Sequence, residues 1–258
     1  QAAYLEPDVI YADVVNQGLL RSDDGGMTWQ TKPSLTTSPN GNNNWAGRLF
    51  IAISPTDANT IYACLQNGTW SSDFGKIFKS IDGGDSWENW TSGLTEYTKG
   101  FVVQPDENGQ DIVYLFTNAR DRKSKVFVRR ADSQEWEDCS TGFPSGFHVN
   151  LALPFYRDSK LRVSGNGGIW QSPLLTSNYT PIINPWVEKA NYNCISDSVY
   201  FEDHSIINHE DAYWRWEITP TPEYISDENI RNPVVVLGNE GSYDVTMYVT
   251  KEGQEYSK

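Results

Sequence analysis

The sequence predicts an all-β protein. Three to four blades of a β-propeller occupy residues 1–187, a short linker spans 188–191, and a β-sandwich fills 192–258. Three observations carry this. Ten Trp, fourteen Tyr, ten Phe and twenty Gly sit in a chain of 258 residues with few long helical runs. One turn motif recurs with the strands around it. After residue 192 the pattern changes to longer strands with strict alternation.

The turn motif is Arg21-Ser22-Asp23-Asp24-Gly25-Gly26-Met27-Thr28-Trp29, and it returns as Lys79-Ser80-Ile81-Asp82-Gly83-Gly84-Asp85-Ser86-Trp87. Each residue type has a physical task. A strand ends at Ser22 or Ser80, and the carboxylate of Asp24 or Asp82 accepts backbone N–H bonds inside a tight turn. Gly26 and Gly84 supply positive φ. Thr28-Trp29 and Ser86-Trp87 open the returning strand, with the indole folded over the hairpin as a local core. The flanks repeat as well. Asp8-Val9-Ile10-Tyr11-Ala12 matches Asn59-Thr60-Ile61-Tyr62-Ala63, and Asp111-Ile112-Val113-Tyr114-Leu115 makes a third pass with a worn turn at Ala131–Trp136. Leu161–Ser164 and Gly168–Ser172 make a fourth. Short strands repeating at a period of about 40–60 residues signal a propeller, one repeat per blade.

The two intact motifs resemble Asp-boxes (BNR repeats), as in sialidases, xyloglucanase-type glycosidases, sortilin-type receptors and many secreted propellers. The resemblance covers roughly residues 1–187. It implies a propeller in which the boxes lie away from the binding face, so their residues are structural.

Taken in order, Asp8–Val15 and Gly18–Ser22 are strands of an incomplete first blade, and residues 34–46 form a polar loop with Pro and Gly punctuation. Arg48–Ile53 is apolar throughout, as suits an inner strand, and strands at 60–65, 75–81 and 87–90 complete that blade. The next blade runs from Gly100–Val103 through 111–117 and 125–130 to 135–139. The last starts near His148 and ends by about Trp186. Closed propellers have about four to eight blades, so the ring is expected to be incomplete within this chain, which reads as part of a larger polypeptide. Beyond the linker, Trp214, Trp216 and Ile218 alternate, as do Tyr243, Val245, Met247 and Val249, which describes half-buried strands packed face to face. With Asn232-Pro233 and Gly241-x-Tyr243-Asp244-Val245-Thr246, this part resembles a PKD-type immunoglobulin-like domain. It departs from that pattern at Thr219-Pro220-Thr221, where Gly-Asp-Gly is usual.

Net charge is −14, which disfavours nucleic acid as a partner. Residues 192–258 carry 13 Asp and Glu against 4 Lys and Arg, the composition of a solvated spacer. No apolar run reaches the roughly 20 residues of a membrane span. Cys64, Cys139 and Cys194 show no CxxC spacing and no nearby His, so neither a metal nor a cofactor is expected. One disulfide and buried free thiols both fit the odd count.

In a four-stranded blade, the loops 32–47, 66–74, 92–99, 118–124 and 140–147 share one rim, opposite the boxes. The candidate ligand-binding residues there are Asn43, Asn44, Trp45, Trp70, Asp73, Tyr97, Arg120 and Arg122, with Asn42, Lys99 and His148 beside them. Indoles stack on sugar C–H faces and amides bond hydroxyls. The plainer alternative has Trp45 and Trp70 plugging gaps between blades. A glycosidase needs two opposed carboxylates about 5–10 Å apart. Asp73 and Asp121 are the rim carboxylates, neither in a recognisable catalytic motif, and no catalytic residue is assigned.

Three functions follow as expectations. The first is a non-catalytic secreted or cell-surface binding protein, with a polysaccharide or a surface protein as its partner. The second is a fragment of a secreted glycoside hydrolase, and the third a sortilin-like receptor. Three Asn-x-Thr sequons, at Asn67, Asn89 and Asn178, suit a secreted chain but are short patterns.

Overall fold

A computed structural model of the chain describes residues 1–14, 17–33, 49–65, 76–94, 97–118, 124–189, 191–192 and 196–258. Among them the structure is all-β, with one 3-10 turn at Tyr156–Asp158. The chain divides into two compact units. One is Gln1–Phe155 with Lys160–Asn178, the other Tyr156–Ser159 with Tyr179–Lys258.

The first unit is a row of antiparallel meanders. Strands β1 (Ile10–Val14), β2 (Gly18–Ser22) and β3 (Gln30–Thr31) form the first sheet. The second holds β4 (Leu49–Ile53), β5 (Ile61–Leu65), β6 (Ile77–Ser80) and β7 (Glu88–Asn89) in that order. The third holds β8 (Tyr97–Pro105), β9 (Asp111–Asn118), β10 (Val126–Arg130) and β11 (Glu137–Asp138), and the fourth β12 (Val149–Phe155), β13 (Lys160–Gly165) and β14 (Gly168–Pro173). Each sheet is a blade, for its strands follow one another outward, and the inner strands β4, β8 and β12 pack side by side. The first blade has its second, third and fourth strands plus a stub of the first, since Ala2 bridges Ile10 and the Ala3 amide donates to the Val9 carbonyl at 2.8 Å.

Apolar alternation sets which side of each strand is buried. Ala52, Tyr62, Cys64, Ile77, Phe101, Val103, Val113 and Leu115 form one core between the second and third blades, closed by Trp90. Val9, Tyr11, Leu19, Ile53 and Ile61 form another between the first and second. Burying one such side chain is worth about 1.5–3 kcal/mol.

The seams between blades also carry polar relays from each blade to the next. The Tyr11 hydroxyl donates to the Ala58 carbonyl at 2.9 Å, and Arg21 Nη1 donates to Asn59 Oδ1 at 2.6 Å and to Tyr11 at 3.0 Å. Lys32 pairs with Asp85 at 3.0 Å. At the next seam Tyr62 and Ser54 both donate to Asp111, at 2.9 and 2.7 Å. Arg129 Nη1 donates to the Trp90 carbonyl at 2.7 Å, its guanidinium 3.8 Å from the indole centroid.

The second unit is a sandwich. One sheet has the order β15 (Pro185–Val187), β16 (Ser198–Asp203), β19 (Val234–Val236), β18 (Tyr224–Ile225). The other has β17 (Ala212–Thr219), β20 (Asp244–Lys251) and β21 (Gln254–Ser257). Val199, Phe201, Trp216, Val235, Met247 and Val249 are buried between them. Two sequence expectations change here. Trp186, read into the last blade, lies on β15, which pairs with β16. Residues 188–191, read as a linker, therefore join two strands of the sandwich. Ile182 bridges Ile206, and Ile183 joins the sandwich core, which explains why the chain enters this unit earlier than its composition suggests.

Candidate functional site

The rim residues drawn from the sequence fall almost wholly outside the described residues. That holds for Asn43, Asn44, Trp45, Trp70, Asp73, Arg120 and Arg122, and for Tyr97 only the strand position in β8 is described. Lys99, beside them in the sequence argument, donates to the Val149 carbonyl at 2.6 Å, so it ties β8 to β12.

The twin turns are described in full, and they repeat the same hydrogen bonds. Ser22 donates to Asp24 Oδ1 at 2.8 Å, the Thr28 amide donates to the same oxygen at 2.8 Å, and the Thr28 hydroxyl donates to Oδ2 at 2.5 Å. In the second copy the matching distances are 2.7, 2.8 and 2.5 Å, from Ser80 and Ser86 to Asp82. The amides of Gly26 and Gly84 donate to Ser22 and Ser80 at 2.8 and 2.9 Å. These donors, the Thr28 and Ser86 hydroxyls first, hold both carboxyls down at about 2. With both oxygens so engaged, the carboxylates have little left to offer a ligand.

The two indoles differ. Trp87 packs against the core shared by the first two blades. Trp29 folds over its own turn and donates to the Gly26 carbonyl at 2.9 Å, yet stays 41% exposed. Trp87 has the first blade beside it, whereas Trp29 belongs to that blade.

Large exposed aromatics cluster on the second unit instead. On β16, Val199 and Phe201 face the core, so Tyr200 between them points out and is 59% exposed. Tyr224 on β18 and Trp186 on β15 point the same way, at 54% and 41% exposure. The register puts Trp186 opposite Glu202, Tyr200 opposite Val234, and Tyr224 opposite Val236, whose other neighbour is Ser198. The three rings thus step diagonally across one flat sheet face. Strand spacings of about 4.8 Å and rises of about 3.4 Å per residue put roughly 8 Å between the first pair and roughly 12 Å between the second. His204 stacks on Trp186 with ring centroids 5.0 Å apart, and Glu202 holds its Nε2 at 2.9 Å. That brace fixes one end of the row.

A separate cleft of about 660 Å³ reaches inward between the β15–β16 and β19–β20 connections, where it meets the core-facing Val199 and Phe201. Val187, Tyr192 and Tyr243 supply apolar lining, while Asn191, Asn239 and Glu240 supply amides and a carboxylate. Tyr243 is fixed by its hydroxyl, which donates to the Leu237 carbonyl at 2.7 Å. Exposed aromatic rows ask for an explanation where single exposed apolar residues do not. Exposed aromatic rings suit the C–H faces of sugars.

The sequence held a signal for this row. Two adjacent aromatics in one alternating strand, Tyr200-Phe201, force one of them outward. Elsewhere in the unit, His209-Glu210-Asp211 forms a structural corner. The His209 ring stands edge-on to Trp214 at 5.0 Å, and burial lowers its pKa. Among the described residues no group of three metal-ligating side chains occurs, and no helix is long and apolar enough to cross a membrane.

No family model and no curated protein matches the sequence. Among solved structures the chain is similar to the GH74 enzyme of Niastella koreensis, at 17% identity and TM-score 0.45, over 79% of this chain and 27% of that one. It is also similar to YCF48 bound to D1 peptide, at 11% identity and TM-score 0.41, over 90% of this chain and 62% of that one. YCF48 from Cyanidioschyzon merolae is similar at 11% identity and TM-score 0.32, over 92% and 93%. The chain thus spans about a quarter of the first of these proteins and under two thirds of the second.

Proposed function

We propose that this protein is a non-catalytic secreted or cell-surface binding protein that takes an uncharged polysaccharide. In this reading the twin turns are Asp-boxes that brace a propeller platform, and the second unit is a PKD-like sandwich that carries a binding face. The observation behind it is the diagonal of Trp186, Tyr200 and Tyr224 on one sheet face. Trp186, braced by His204, loses little entropy when a rigid sugar chain settles on it. A net charge of −9 over residues 192–258 favours a neutral glycan over an acidic one. The rim residues Trp45, Trp70 and Arg120 form the second proposed surface.

The test is a glycan array at low and high ionic strength, with Tyr200→Ala and Tyr224→Ala beside the parent, and Trp45→Ala with Trp70→Ala as a second pair. Stacking is nearly independent of charge, so binding should survive salt and fall at least tenfold in the first pair. Loss confined to the second pair would move the site to the rim. Salt-sensitive capture would point to Arg120, Arg122 and Lys99 and an acidic polysaccharide, since exposed charges are screened over about 8–10 Å. Release of shorter sugars from the array would favour the hydrolase reading, and no glycan binding at all would sink the proposal.

A further inference from the structure

The fourth blade stops one strand short, and the other three blades show what such an edge holds. In each of them an outer strand covers the third. Thr31 lies opposite Leu20, Asn89 opposite Phe78, and Asp138 opposite Phe127. A Trp leads each outer strand, at 29, 87 and 136. The residue after it closes the pairing through its amide, Lys32 to Leu19, Trp90 to Ile77 and Cys139 to Val126, at 2.8, 2.8 and 2.9 Å.

In the fourth blade the register makes Trp170 the counterpart of Phe78 and Phe127, since each lies opposite the matching residue of its neighbour, Val163, Ala63 or Leu115. All six residues of β14 are exposed, Ile169 at 76% and Trp170 at 38%. The strand carries none of the charges that usually protect a free edge. Beyond it the chain does not fold back, because Leu174 is buried and the Leu175 amide donates to Tyr114.

A second observation comes from the seam. The residue that ends each outer strand meets the turn of the next blade. Lys32 meets Asp85 at 3.0 Å, and Trp90 meets Trp136, whose ring lies 5.2 Å away. Cys139, third in the series, has no such turn over it among the described residues. A groove of about 200 Å³ lies there instead, lined by Cys139, Phe143, Leu161, Val163 and Trp170. The Trp leading a fourth outer strand would land in it.

We propose that the β14 edge and the groove at Cys139 dock an extended strand of a partner polypeptide led by an aromatic residue, as Trp29, Trp87 and Trp136 lead the outer strands of the other blades. The partner adds main-chain hydrogen bonds along β14 and seats its aromatic ring in the groove. Ile77 directs its carbonyl to the outer strand, so antiparallel alternation aims the main-chain groups of its counterpart Ile169, and of Gln171 two residues on, at the open edge.

The probe is a fluorescent peptide of residues 84–92, Gly-Asp-Ser-Trp-Glu-Asn-Trp-Thr-Ser, titrated onto the full chain. Saturable binding is expected. It should weaken at least tenfold with Gln171→Pro, a change edge strands tolerate, and as much with a peptide N-methylated at residue 90, which leaves the protein untouched. Alkylation of Cys139, located by peptide mapping, should slow severalfold when the peptide is seated. Absence of binding, equal binding of the methylated peptide, or unchanged alkylation of Cys139 would each overturn the proposal. So would sedimentation showing that the protein pairs with itself and that Gln171→Pro separates the copies, since a second copy would then own the edge.

Discussion

Tyr62 on β5 donates its hydroxyl to Asp111 at the head of β9, 2.9 Å away in the next blade, and Ser54 takes the carboxylate's other oxygen. Burial pushes the Asp111 carboxyl up, against the two hydroxyls that hold its charged form. Tyr62→Phe strips one donor from a buried carboxylate and should cost about 1–3 kcal/mol. Urea melts of the single variants and of Tyr62→Phe with Asp111→Asn would show it. Additive losses would mean that the two side chains do not act as a pair.

Gly83 presents a second seam. Its φ is +71°, and a methyl group there would run into the guanidinium of Arg21. That guanidinium is held by Asn59 and Tyr11 and has no slack to give. Gly83→Ala should therefore destabilise by about 2–4 kcal/mol, part from the clash and about 1–2 kcal/mol from the left-handed backbone. With Arg21→Ala already in place only the backbone part should remain. A double-mutant cycle of thermal melts measures the difference.

The turns should be stable over most of the pH scale. Asp24 and Asp82 are held at about 2, below the ordinary carboxylate range. A depressed carboxyl stabilises the fold above its unfolded pKa and loses that contribution as pH falls through the folded one. Protection of the Thr28 and Ser86 amides against hydrogen exchange should thus hold down to about pH 4 and fade between about 4 and 2. Asp82→Asn should abolish the step at Ser86 and leave that at Thr28.

Both described thiols should be sluggish. Cys64 is fully buried, whereas Cys139 reaches the surface, with partial desolvation and the nearby Asp138 charge pushing its thiol up to about 11. Alkylation at neutral pH should be slow at Cys139 and slower at Cys64, and the Cys139 rate should climb with pH towards about 11. Rapid labelling of Cys64 would show that its blade opens.

Local chemistry was the legible part. Ser-x-Asp-x-Gly-x-(Thr/Ser)-Trp specifies its own turn, because the hydrogen bonds made by its Ser and Asp side chains join residues at most four apart, while the amides of Gly25 and Gly83 reach farther, to the Asp8 and Asn59 carbonyls. Burial was not legible to the same degree. Trp29 and Trp87 occupy the same motif position and part company only because different neighbours stand beside them. Tyr200 was hidden by its own strand, where it counted as one more apolar residue until the parity of Val199 and Phe201 turned it outward. Trp186 was placed in the wrong unit because Pro185-Trp186-Val187 is too short to announce its partner strand.

The seam relays have a mechanical meaning. Tyr11 to Ala58, Lys32 to Asp85, Tyr62 to Asp111 and Arg129 to Trp90 each join a blade only to its neighbour, so tension along the first unit is borne in series. Such an array yields one element at a time. Stretched between its ends, it should lengthen in discrete steps, each dissipating work before the next blade is loaded.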